Sequence, residues 1–318
     1  MVTLQQIEEA HSRIRPYIRR TPTLRFAPLR DDLPYKIWLK CENLQVTGSF
    51  KTRGAVNRVL SLTEDEARLG IITASGGNHG LGVAYAARLR GVAPVVYVPE
   101  KASAARRERL RRWGAETIVE GKDWDDSYAA AFTRSRQTGA ALIHPFDDPL
   151  VVAGQGTAMT ELLEDCPEAI DAVIAGIGGG GLISGLAVCS KSRSVKTAVI
   201  GVEPTGAASM TASLQAGRLV ELPTLKTIAD TLSARKVGPL TLEICQKFVD
   251  RVVLVDDDAM INAINLLWDE HNLLVEPSGA APLAALLSGK AGIPEGSRVG
   301  LVVSGGNIDA KPSIERYG

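Results

Sequence analysis

The feature that most constrains the fold is an alternation of short apolar runs with stretches of helical periodicity along the chain. Runs of this kind predict buried strands, and the longer periodic stretches predict helices. The predicted strands are KIWLK, GIITA, APVVYV, ETIVE, AVIAGI, TAVIGVE, RVVLV and RVGLVVS. The predicted helices include HGLGVAYAARLRG, ASAARRERLRRWG and DDDAMINAINLLWDEHN. Such alternation predicts an α/β protein whose parallel sheets are flanked by helices on both faces.

Length and segmentation bound the domain organisation. A chain of 318 residues can bury a large core, either as one α/β unit or as two lobes. It contains no low-complexity tract, no repeat of fixed period and no Pro/Ser-rich linker. We predict crossings between lobes at SLTEDEARLG (residues 61–70) and HPFDDPLVVAG (residues 144–154).

Charge and hydrophobicity exclude several classes of protein. Lys plus Arg and Asp plus Glu each total 36, so no net charge attracts nucleic acid or an anionic membrane. No apolar run approaches the roughly 18 residues of a membrane-spanning helix, and the polar start MVTLQQIEEAHSRIRP lacks a signal core. The four scattered cysteines form no CxxC pair, which argues against a disulfide framework. We therefore expect a reduced, cytoplasmic protein that binds neither nucleic acid nor membrane.

A lysine stands at the start of a predicted helix in CENLQVTGSFKTRGAVNRV (residues 41–59). Ala55, Val56 and Val59 follow it at helical spacing. A lysine in the first turn is electrostatically unfavourable, because the helix dipole there favours anions. Lys51 is therefore either an ordinary surface charge or an amine held where a ligand must reach it.

A glycine-rich loop, TASGGNHGLG (residues 73–82), joins the strand GIITA to a helix. This segment is consistent with a flexible turn that is capped by Asn78 and has His79 in the first helical turn. It is also consistent with an anion site, since free backbone N–H groups accumulate at such a junction. The continuation NHG favours the anion site, whose N–H groups would belong to Ser75, Gly76, Gly77 and Asn78.

A second glycine-rich loop, AGIGGGGLISG (residues 175–185), also joins a strand to a helix. Successive glycines let the backbone wrap closely around an anion, and phosphate is the natural guest. The same stretch satisfies GxGxxG at Gly176, Gly178 and Gly181, with Glu203 at the end of the next strand. A nicotinamide-dependent dehydrogenase with a Rossmann unit therefore stays open as an alternative.

A third loop ends the buried strand of LVVSGGNID (residues 301–309). Taken alone it is equally well a simple turn. The hydroxyl of Ser304, at the carboxyl end of the strand, can also hydrogen-bond a ring nitrogen or a hydroxyl of a ligand.

Together these parts suit pyridoxal phosphate and an amino acid. The aldehyde of that cofactor requires a lysine for a Schiff base, its phosphate requires an anion site, and its ring supplies an electron sink. A dehydrogenase explains the glycines but leaves Lys51 and SGGNHG without a role.

The sequence resembles the fold type II pyridoxal-phosphate enzymes, and within them the threonine/serine dehydratase and serine racemase group. The motifs that carry the resemblance are, in order, ENLQVTGSFKTRGA, SGGNHG, HPFDDPLVVAGQGT, GGGGLISG, VEPSGA and SGGN. The resemblance implies a two-domain α/β fold like the tryptophan synthase β chain, assembled as a homodimer or higher homo-oligomer. Its large cofactor-binding domain would comprise residues 1–60 and 148–318. Its small domain, closing over the substrate, would comprise residues 65–147.

The resemblance also implies a role for each matching residue. Lys51 would hold the cofactor as a Schiff base and then remove the α-proton of the substrate, with a pKa lowered towards neutrality by burial and the cofactor. Phe50 would lie beside the ring, and Asn78 would bond the 3-hydroxyl. Ser304 would meet the ring nitrogen. Amides for the phosphate would come from Gly178, Gly179, Gly180, Gly181 and Leu182. The substrate carboxylate would be held by Ser75, Gly76, Gly77, Asn78 and His79.

Two further implications concern the surroundings and the chemistry of the cofactor. Glu276 in VEPSGA would lie close to the cofactor, or would be a packed structural carboxylate. The small residues Gly48 and Ser49 would let the cofactor approach closely. A neutral serine at the ring nitrogen makes the ring a mild electron sink, which favours β-elimination. The expected reaction converts a β-hydroxy amino acid such as L-threonine or L-serine into a 2-oxo acid and ammonia.

Two departures from the family pattern bear on the reaction and its substrate. Racemases of the group carry a second serine after the first in the asparagine loop, whereas this chain has Gly76. We therefore expect dehydration without efficient racemisation. Most members continue IAD with glycine, whereas Thr231 follows Asp230 here. Another β-hydroxy amino acid, such as hydroxyaspartate or phenylserine, is therefore an alternative substrate, and serine racemase is an alternative activity.

A third departure concerns a metal. Members that bind divalent cations use a glutamate, a backbone carbonyl and an aspartate in the stretch matching EPTGAAS. Glu203 and Ala207 are kept, but Ser209 replaces the aspartate. Divalent ions prefer anionic oxygens, so we expect a weakly bound cation at most, or none. We also expect no regulatory domain, and a non-catalytic amino-acid sensor is a further alternative that the retained Lys51 disfavours.

Overall fold

Two sheets organise the chain in the computed structural model, which describes residues 1–26 and 33–308. The strands are β1 (Thr23–Phe26), β2 (Lys36–Cys41), β3 (Ile71–Ala74), β4 (Val95–Val98), β5 (Glu116–Val119), β6 (Ala141–Leu142), β7 (Ala172–Gly176), β8 (Ala198–Pro204), β9 (Arg251–Val255) and β10 (Arg298–Val303). The α-helices are α1 (Leu4–Ile14), α2 (Lys51–Leu60), α3 (Glu64–Arg68), α4 (Asn78–Leu89), α5 (Ala104–Arg112), α6 (Trp124–Thr138), α7 (Pro149–Asp165), α8 (Gly181–Arg193), α9 (Ser209–Ala216), α10 (Pro239–Phe248), α11 (Asp257–His271) and α12 (Pro277–Leu287).

The larger sheet has the strand order β1-β2-β10-β7-β8-β9, and the smaller has β5-β4-β3-β6. Every pairing is parallel except that of the edge strand β1 with β2. The central strand β10 sets the register, because Val299 pairs with Ile37 on one side and with Ala172 on the other. These parallel sheets with helices between their strands confirm the predicted α/β class.

The path of the chain separates the two sheets in sequence. Strands β3–β6 form the smaller sheet, and the strands before and after them form the larger one. The predicted crossings at 61–70 and 144–154 lie in the two stretches where the chain passes between the sheets. The domain boundaries stay a prediction, and residues 27–32 and 309–318 of the predicted large domain lie outside the described residues.

Close helix contacts hold the start of α2 in place. A Cβ on Gly154 would lie 2.6 Å from the Cα of Gly54, so α2 and α7 cross backbone to backbone. The Gly54 N–H also donates to the side-chain oxygen of Gln155 at 3.1 Å. Side chains larger than hydrogen at this crossing would push α2 away, and with it the first residue of the helix, Lys51.

All eight predicted strands and the three predicted helices are present. The edge strand β1 and the two-residue strand β6 were not predicted, because TLRF and AL are too short to show a periodic pattern. Within residues 1–26 and 33–308, no helix combines the length and apolarity needed to cross a bilayer.

Candidate active site

A cavity of about 560 Å³ opens where loops following strands of both sheets converge. Ser75 follows β3, Gly178 follows β7 and Ser304 follows β10, so the cavity lies at the carboxyl ends of parallel strands, as expected for this architecture. The predicted cofactor and substrate residues that line it are Phe50, Lys51, Ser75, Gly76, Gly77, Asn78, His79, Gly178, Gly180, Gly181, Leu182, Glu276 and Ser304.

Lys51 is the first residue of α2 and reaches into this cavity. Its Nζ donates to the carbonyl of Pro145 at 2.7 Å and lies 5.2 Å from the ring centroid of Phe50. Burial lowers the pKa of Lys51 to about 8, against a smaller raising effect of the Glu276 charge. The uncharged, nucleophilic form of this amine is therefore far more populated near neutral pH than in an ordinary lysine, whose pKa is 10.5.

The chain around Lys51 is joined to the third glycine loop. The Phe50 N–H donates to the Ser304 carbonyl at 3.0 Å, and Ser49 and Gly305 form an isolated β-bridge. Gly48 has φ +79°, and a Cβ there would lie 2.6 Å from Oδ1 of Asn307. The expectation that Gly48 and Ser49 make room for a cofactor is corrected, because the close neighbour of Gly48 is Asn307. Neither Gly48 nor Ser49 lines the cavity.

Helix α4 presents an open N-terminus to the cavity. Gly77 precedes it without a side-chain cap, and its first turn carries no acidic residue. The Ser75 hydroxyl accepts from the Gly77 N–H at 3.2 Å and keeps its own proton available as a donor. Free N–H groups and the positive end of the helix dipole suit a carboxylate here.

Helix α8 presents a second open N-terminus. It too has no side-chain cap and no acid in its first turn. Gly180 has φ +93°, a conformation that favours glycine, and a Cβ on Gly179 would lie 2.2 Å from the ring of Phe146. Thr241 fixes the loop by donating to the Gly179 carbonyl at 2.8 Å. This loop suits a phosphate, although Gly179 itself is not among the residues that line the cavity.

Polar side chains complete one wall. Asn78 donates to Oε1 of Glu276 at 2.7 Å and accepts from Nδ2 of Asn307 at 2.8 Å. Burial raises the pKa of Glu276 to about 7, against the lowering effect of the hydrogen bonds from Ser278 and Asn78. The hydroxyl of Ser304 lines the cavity and has no partner among residues 1–26 and 33–308.

The two histidines near Lys51 are uncharged at neutral pH. Burial, and secondarily the charge of Lys51, lowers the pKa of His79 to about 3 and that of His144 to about 4. His79 Nε2 donates to the carbonyl of Ile143 at 3.1 Å, and His144 Nδ1 accepts from the Asp147 N–H at 2.8 Å. His144 also packs edge to face on Phe146, with 4.6 Å between ring centroids.

Several cavity residues had no predicted role. Phe146 belongs to HPFDDPLVVAGQGT, which contributed to the resemblance without any assigned contact. Trp124 lies near it, with 6.2 Å between the ring centroids. Trp124 begins α6, far from every motif, so nothing in the sequence connects it to the site.

The residues predicted for a cation lie elsewhere. Glu203 accepts from the backbone N–H groups of Met210 and Thr211 at 2.7 and 2.9 Å, at the start of α9. The Ser209 hydroxyl is buried without a partner in the described part of the chain. Glu203, Ala207 and Ser209 do not line the cavity, and the cation site stays a prediction.

Pyridoxal phosphate fits the residues that are present. Two uncapped helix N-termini suit two anionic groups, the phosphate and a substrate carboxylate. The same cavity is lined by an amine with a lowered pKa and by a serine hydroxyl that the described part of the protein leaves unbonded. The fold and this site define an enzyme that binds pyridoxal phosphate.

Comparison with known proteins assigns the family. Residues 14–305 match the family described as pyridoxal-phosphate dependent enzyme. The chain belongs to this family and has the fold type II architecture of its solved relatives. The nicotinamide-dependent dehydrogenase is thereby excluded as the interpretation of GxGxxG, and the Glu203 carboxylate that supported it bonds backbone N–H groups at the start of α9.

The relatives include lyases and racemases. The chain is 40% identical to an L-threonine ammonia-lyase of Thermotoga maritima, over 97% of this chain and 76% of that protein. It is 39% identical to a serine racemase of Oryza sativa subsp. indica, over 96% of this chain and 91% of that protein. A solved threonine deaminase from T.th. shares 41% identity and a TM-score of 0.92, covering 98% of this chain and 100% of that one.

Proposed function

We propose that this enzyme removes water from a β-hydroxy amino acid such as L-threonine or L-serine and releases a 2-oxo acid and ammonia. The observation that carries the proposal is the Lys51 amine, which has a lowered pKa and lies in a cavity between two open helix N-termini. The similarity to an L-threonine ammonia-lyase and a threonine deaminase supports the reaction class.

The two helix N-termini at the cavity have separate tasks. Bound pyridoxal phosphate supplies an aldehyde for the substrate amine and a ring that accepts the electrons released at Cα. The loop Gly178–Leu182 would hold its phosphate through backbone N–H groups, Phe50 would lie beside its ring, and Ser304 would hold its ring nitrogen. The loop Ser75–His79 holds the substrate carboxylate at the start of α4.

Lys51 carries the proton chemistry. Its amine anchors the cofactor, and after substrate binding it is the base that removes the proton from Cα. The neutral His79 and His144 add no positive charge near it, so its lowered pKa is not pushed further down. Loss of the β-hydroxyl as water leaves an enamine, which hydrolyses to the 2-oxo acid and ammonia.

Position 76 separates dehydration from racemisation. A racemase needs an acid on the face of Cα opposite the lysine, and Gly76 has no side chain to provide a proton. The similarity to a serine racemase makes racemisation the second candidate activity. We therefore propose dehydration as the main outcome with L-serine.

The setting of the enzyme is also a proposal. We propose a cytoplasmic homodimer or higher homo-oligomer that acts on small amino acids. The four free cysteines support a reducing compartment. A weakly bound cation near Glu203 is compatible with the buried hydroxyl of Ser209, which has no partner among the described residues.

The test is a panel of β-hydroxy amino acids that includes L-threonine, L-serine, hydroxyaspartate and phenylserine. We expect 2-oxo acid and ammonia in equal amounts from at least one of them, and no product with Lys51→Ala. A chiral assay of the L-serine reaction should find little D-serine. Rapid formation of D-serine, or ammonia release that persists in Lys51→Ala, would overturn the proposal.

A further inference from the structure

The carboxyl group of Glu276 is held asymmetrically. Its Oε1 accepts from Nδ2 of Asn78 and from Oγ of Ser278 at 2.7 Å each, and Oγ1 of Thr231 lies 3.3 Å from the same oxygen. Its Oε2 has no partner among the described residues and is not enclosed by protein, although the residue as a whole is only 4% exposed. Since Glu276 lines the cavity, Oε2 is the oxygen that faces it.

Thr231 acts on this carboxyl group mainly through a neighbour. Its hydroxyl donates to Oγ of Ser278 at 2.6 Å, much closer than its 3.3 Å approach to Glu276. Ser278 in turn uses its single proton on Glu276. The three residues therefore form a chain of hydrogen bonds in which each bond polarises and strengthens the next.

This chain of hydrogen bonds begins at Thr231, in the loop where most members of the family have glycine. Thr231 is the middle residue of the short 3₁₀ turn Asp230–Leu232 and lines the cavity, and its hydroxyl bonds Ser278 on α12 although the residue as a whole is exposed. A glycine at this position has no hydroxyl, so Ser278 would lose the donor that orients it. The charged groups that face Glu276 are Lys51 on α2 and Asp230 in the same turn as Thr231. His79 on α4 is neutral.

We propose that Thr231 is a positioning residue: through Ser278 it keeps Glu276 turned with Oε2 towards the bound cofactor and substrate, and it stabilises the ionised form of that carboxyl group. The proposal rests on the proposed function only in that it places the cofactor in this cavity. A carboxyl group that accepts its hydrogen bonds on one oxygen takes up a proton on the other, so its protonation state is presented directly to the ligand.

The sign of the effect follows from the bonds. Donors to a carboxylate favour its charged form, so removing the Thr231 hydroxyl raises the pKa of Glu276 above its present value of about 7. One lost hydrogen bond corresponds to an upward shift of about half to one pH unit. Loss of the middle donor, in Ser278→Ala, should produce a larger shift in the same direction.

The experiment is a pH titration of the visible absorbance of the holoenzyme between about pH 5.5 and 9, the range in which a carboxyl group that ionises near neutrality changes its charge. Thr231→Val removes the hydroxyl at nearly constant shape, and Thr231→Ser restores it. Thr205→Val is the matched control, because its hydroxyl bonds the Val255 carbonyl, outside the cavity. We expect an upward shift in Thr231→Val, none in Thr231→Ser or Thr205→Val, and loss of the titration in Glu276→Gln.

Two results would overturn the proposal. One is a titration of Thr231→Val that coincides with that of the unmodified enzyme, and the other is a Thr231→Ser variant that shifts as far as Thr231→Val. Melting temperatures of all variants show whether a shift merely accompanies loss of stability, which Thr231→Ser would then not repair. The readout needs no turnover, so it stands even where no amino acid of the substrate panel is converted.

Discussion

Lys51 and Arg53 lie two residues apart on α2, and their surroundings are opposite. Arg53 is fully buried and donates to Glu42 through Nε at 2.7 Å and to Glu161 through Nη1 and Nη2 at 2.8 and 2.7 Å. Lys51 makes a single hydrogen bond within the described residues, to a backbone carbonyl. Arg53 therefore has hydrogen-bond partners for all its nitrogens, whereas Lys51 has one partner among the described residues for three possible donors.

The surroundings of Arg53 are balanced in charge. Lys40, also fully buried, pairs with Glu161 at 2.8 Å and donates to the Thr21 carbonyl at 2.7 Å. Burial acts to raise the pKa of Glu161, but the bonds and charges of Arg53 and Lys40 outweigh it and leave the pKa lowered. Two cations facing two carboxylates, Glu42 and Glu161, make this group a structural anchor rather than a reactive one.

The contrast shows how one helix can be fixed and reactive at once. The ion pairs of Arg53 attach the first turn of α2 to Glu42, in the short turn after β2, and to Glu161 on α7. That attachment fixes the helix without any ion pair of Lys51 to the described residues, so the neighbouring Lys51 keeps a lowered pKa of about 8. A buried polar group whose hydrogen bonds are all made, such as Arg53, indicates a structural role. A polar group that faces a cavity with hydrogen bonds still to make, such as Lys51, indicates a chemical role.

The largest expected effect breaks the reactive side of this contrast. Lys51→Ala should lower turnover at least about a thousandfold, because the same amine anchors the cofactor and removes the proton. Borohydride reduction of the holoenzyme followed by peptide mapping should place the cofactor on residue 51. Lys247→Ala, at an exposed position, is the control. A cofactor adduct found on another lysine would contradict the assignment.

The next effect breaks the structural side. Arg53→Met leaves two buried carboxylates with one cation, and we expect it to lower the free energy of unfolding by about 3–5 kcal/mol. Lys51→Met, two residues away, removes an amine that burial disfavours and should leave stability unchanged or raised. Urea denaturation of both apoproteins measures the difference. Equal losses of stability would show that the two cations do not differ as described.

The pH dependence sharpens the comparison. The pKa of Lys51 falls from 10.5 to about 8, so the folded chain binds this proton less tightly than the unfolded chain. Stability contributed by this group therefore rises with pH from about 8 towards 10.5, and Lys51→Met should remove that rise. The rate at which the apoprotein combines with pyridoxal phosphate should likewise have its midpoint near pH 8. A midpoint near that of an ordinary lysine would refute the lowered pKa.

The smallest effect concerns exposed ion pairs at the mouth of the cavity. Nε of Arg235 lies 3.2 Å from Oδ2 of Asp125, and Nη2 of Arg106 lies 2.6 Å from Oδ2 of Asp230. All four side chains are substantially exposed. Asp125→Asn should change the free energy of unfolding by only about 0.2–1 kcal/mol, because solvent and salt screen such pairs. Thermal denaturation at low and high salt checks this. A loss as large as that of Arg53→Met would mean that exposure does not distinguish the two kinds of pair.

The sequence predicted the elements whose signal is local. Eight strands appeared as apolar runs, and the loops at Ser75 and Gly178 appeared as glycine-rich strand-to-helix junctions. The anomalous position of Lys51 was visible from the helix dipole alone. These features depend on neighbours within a few residues, so pattern and spacing were sufficient.

The remaining features depend on contacts between distant segments. The partners of Arg53 come from residues 42 and 161, and the chain from Thr231 to Glu276 joins segments 45 residues apart. Asn307 and Gly48 are close in space but lie near opposite ends of the sequence. The sequence therefore suggested that Gly48 makes room for a ligand, whereas its close neighbour is Asn307. The hydrophobic periodicity of a sequence contains no information about such contacts between distant segments.

The space around Gly76 has an evolutionary consequence. A Cβ there would meet only Ala102 at 3.3 Å and Val98 beyond it, and the backbone conformation is one that ordinary residues adopt. A serine side chain at this cavity-lining position could therefore be accommodated after a shift of a few tenths of an ångström. If position 76 sets the stereochemical outcome as proposed, the fold permits a lineage to gain or lose that serine by a single substitution without rebuilding its surroundings.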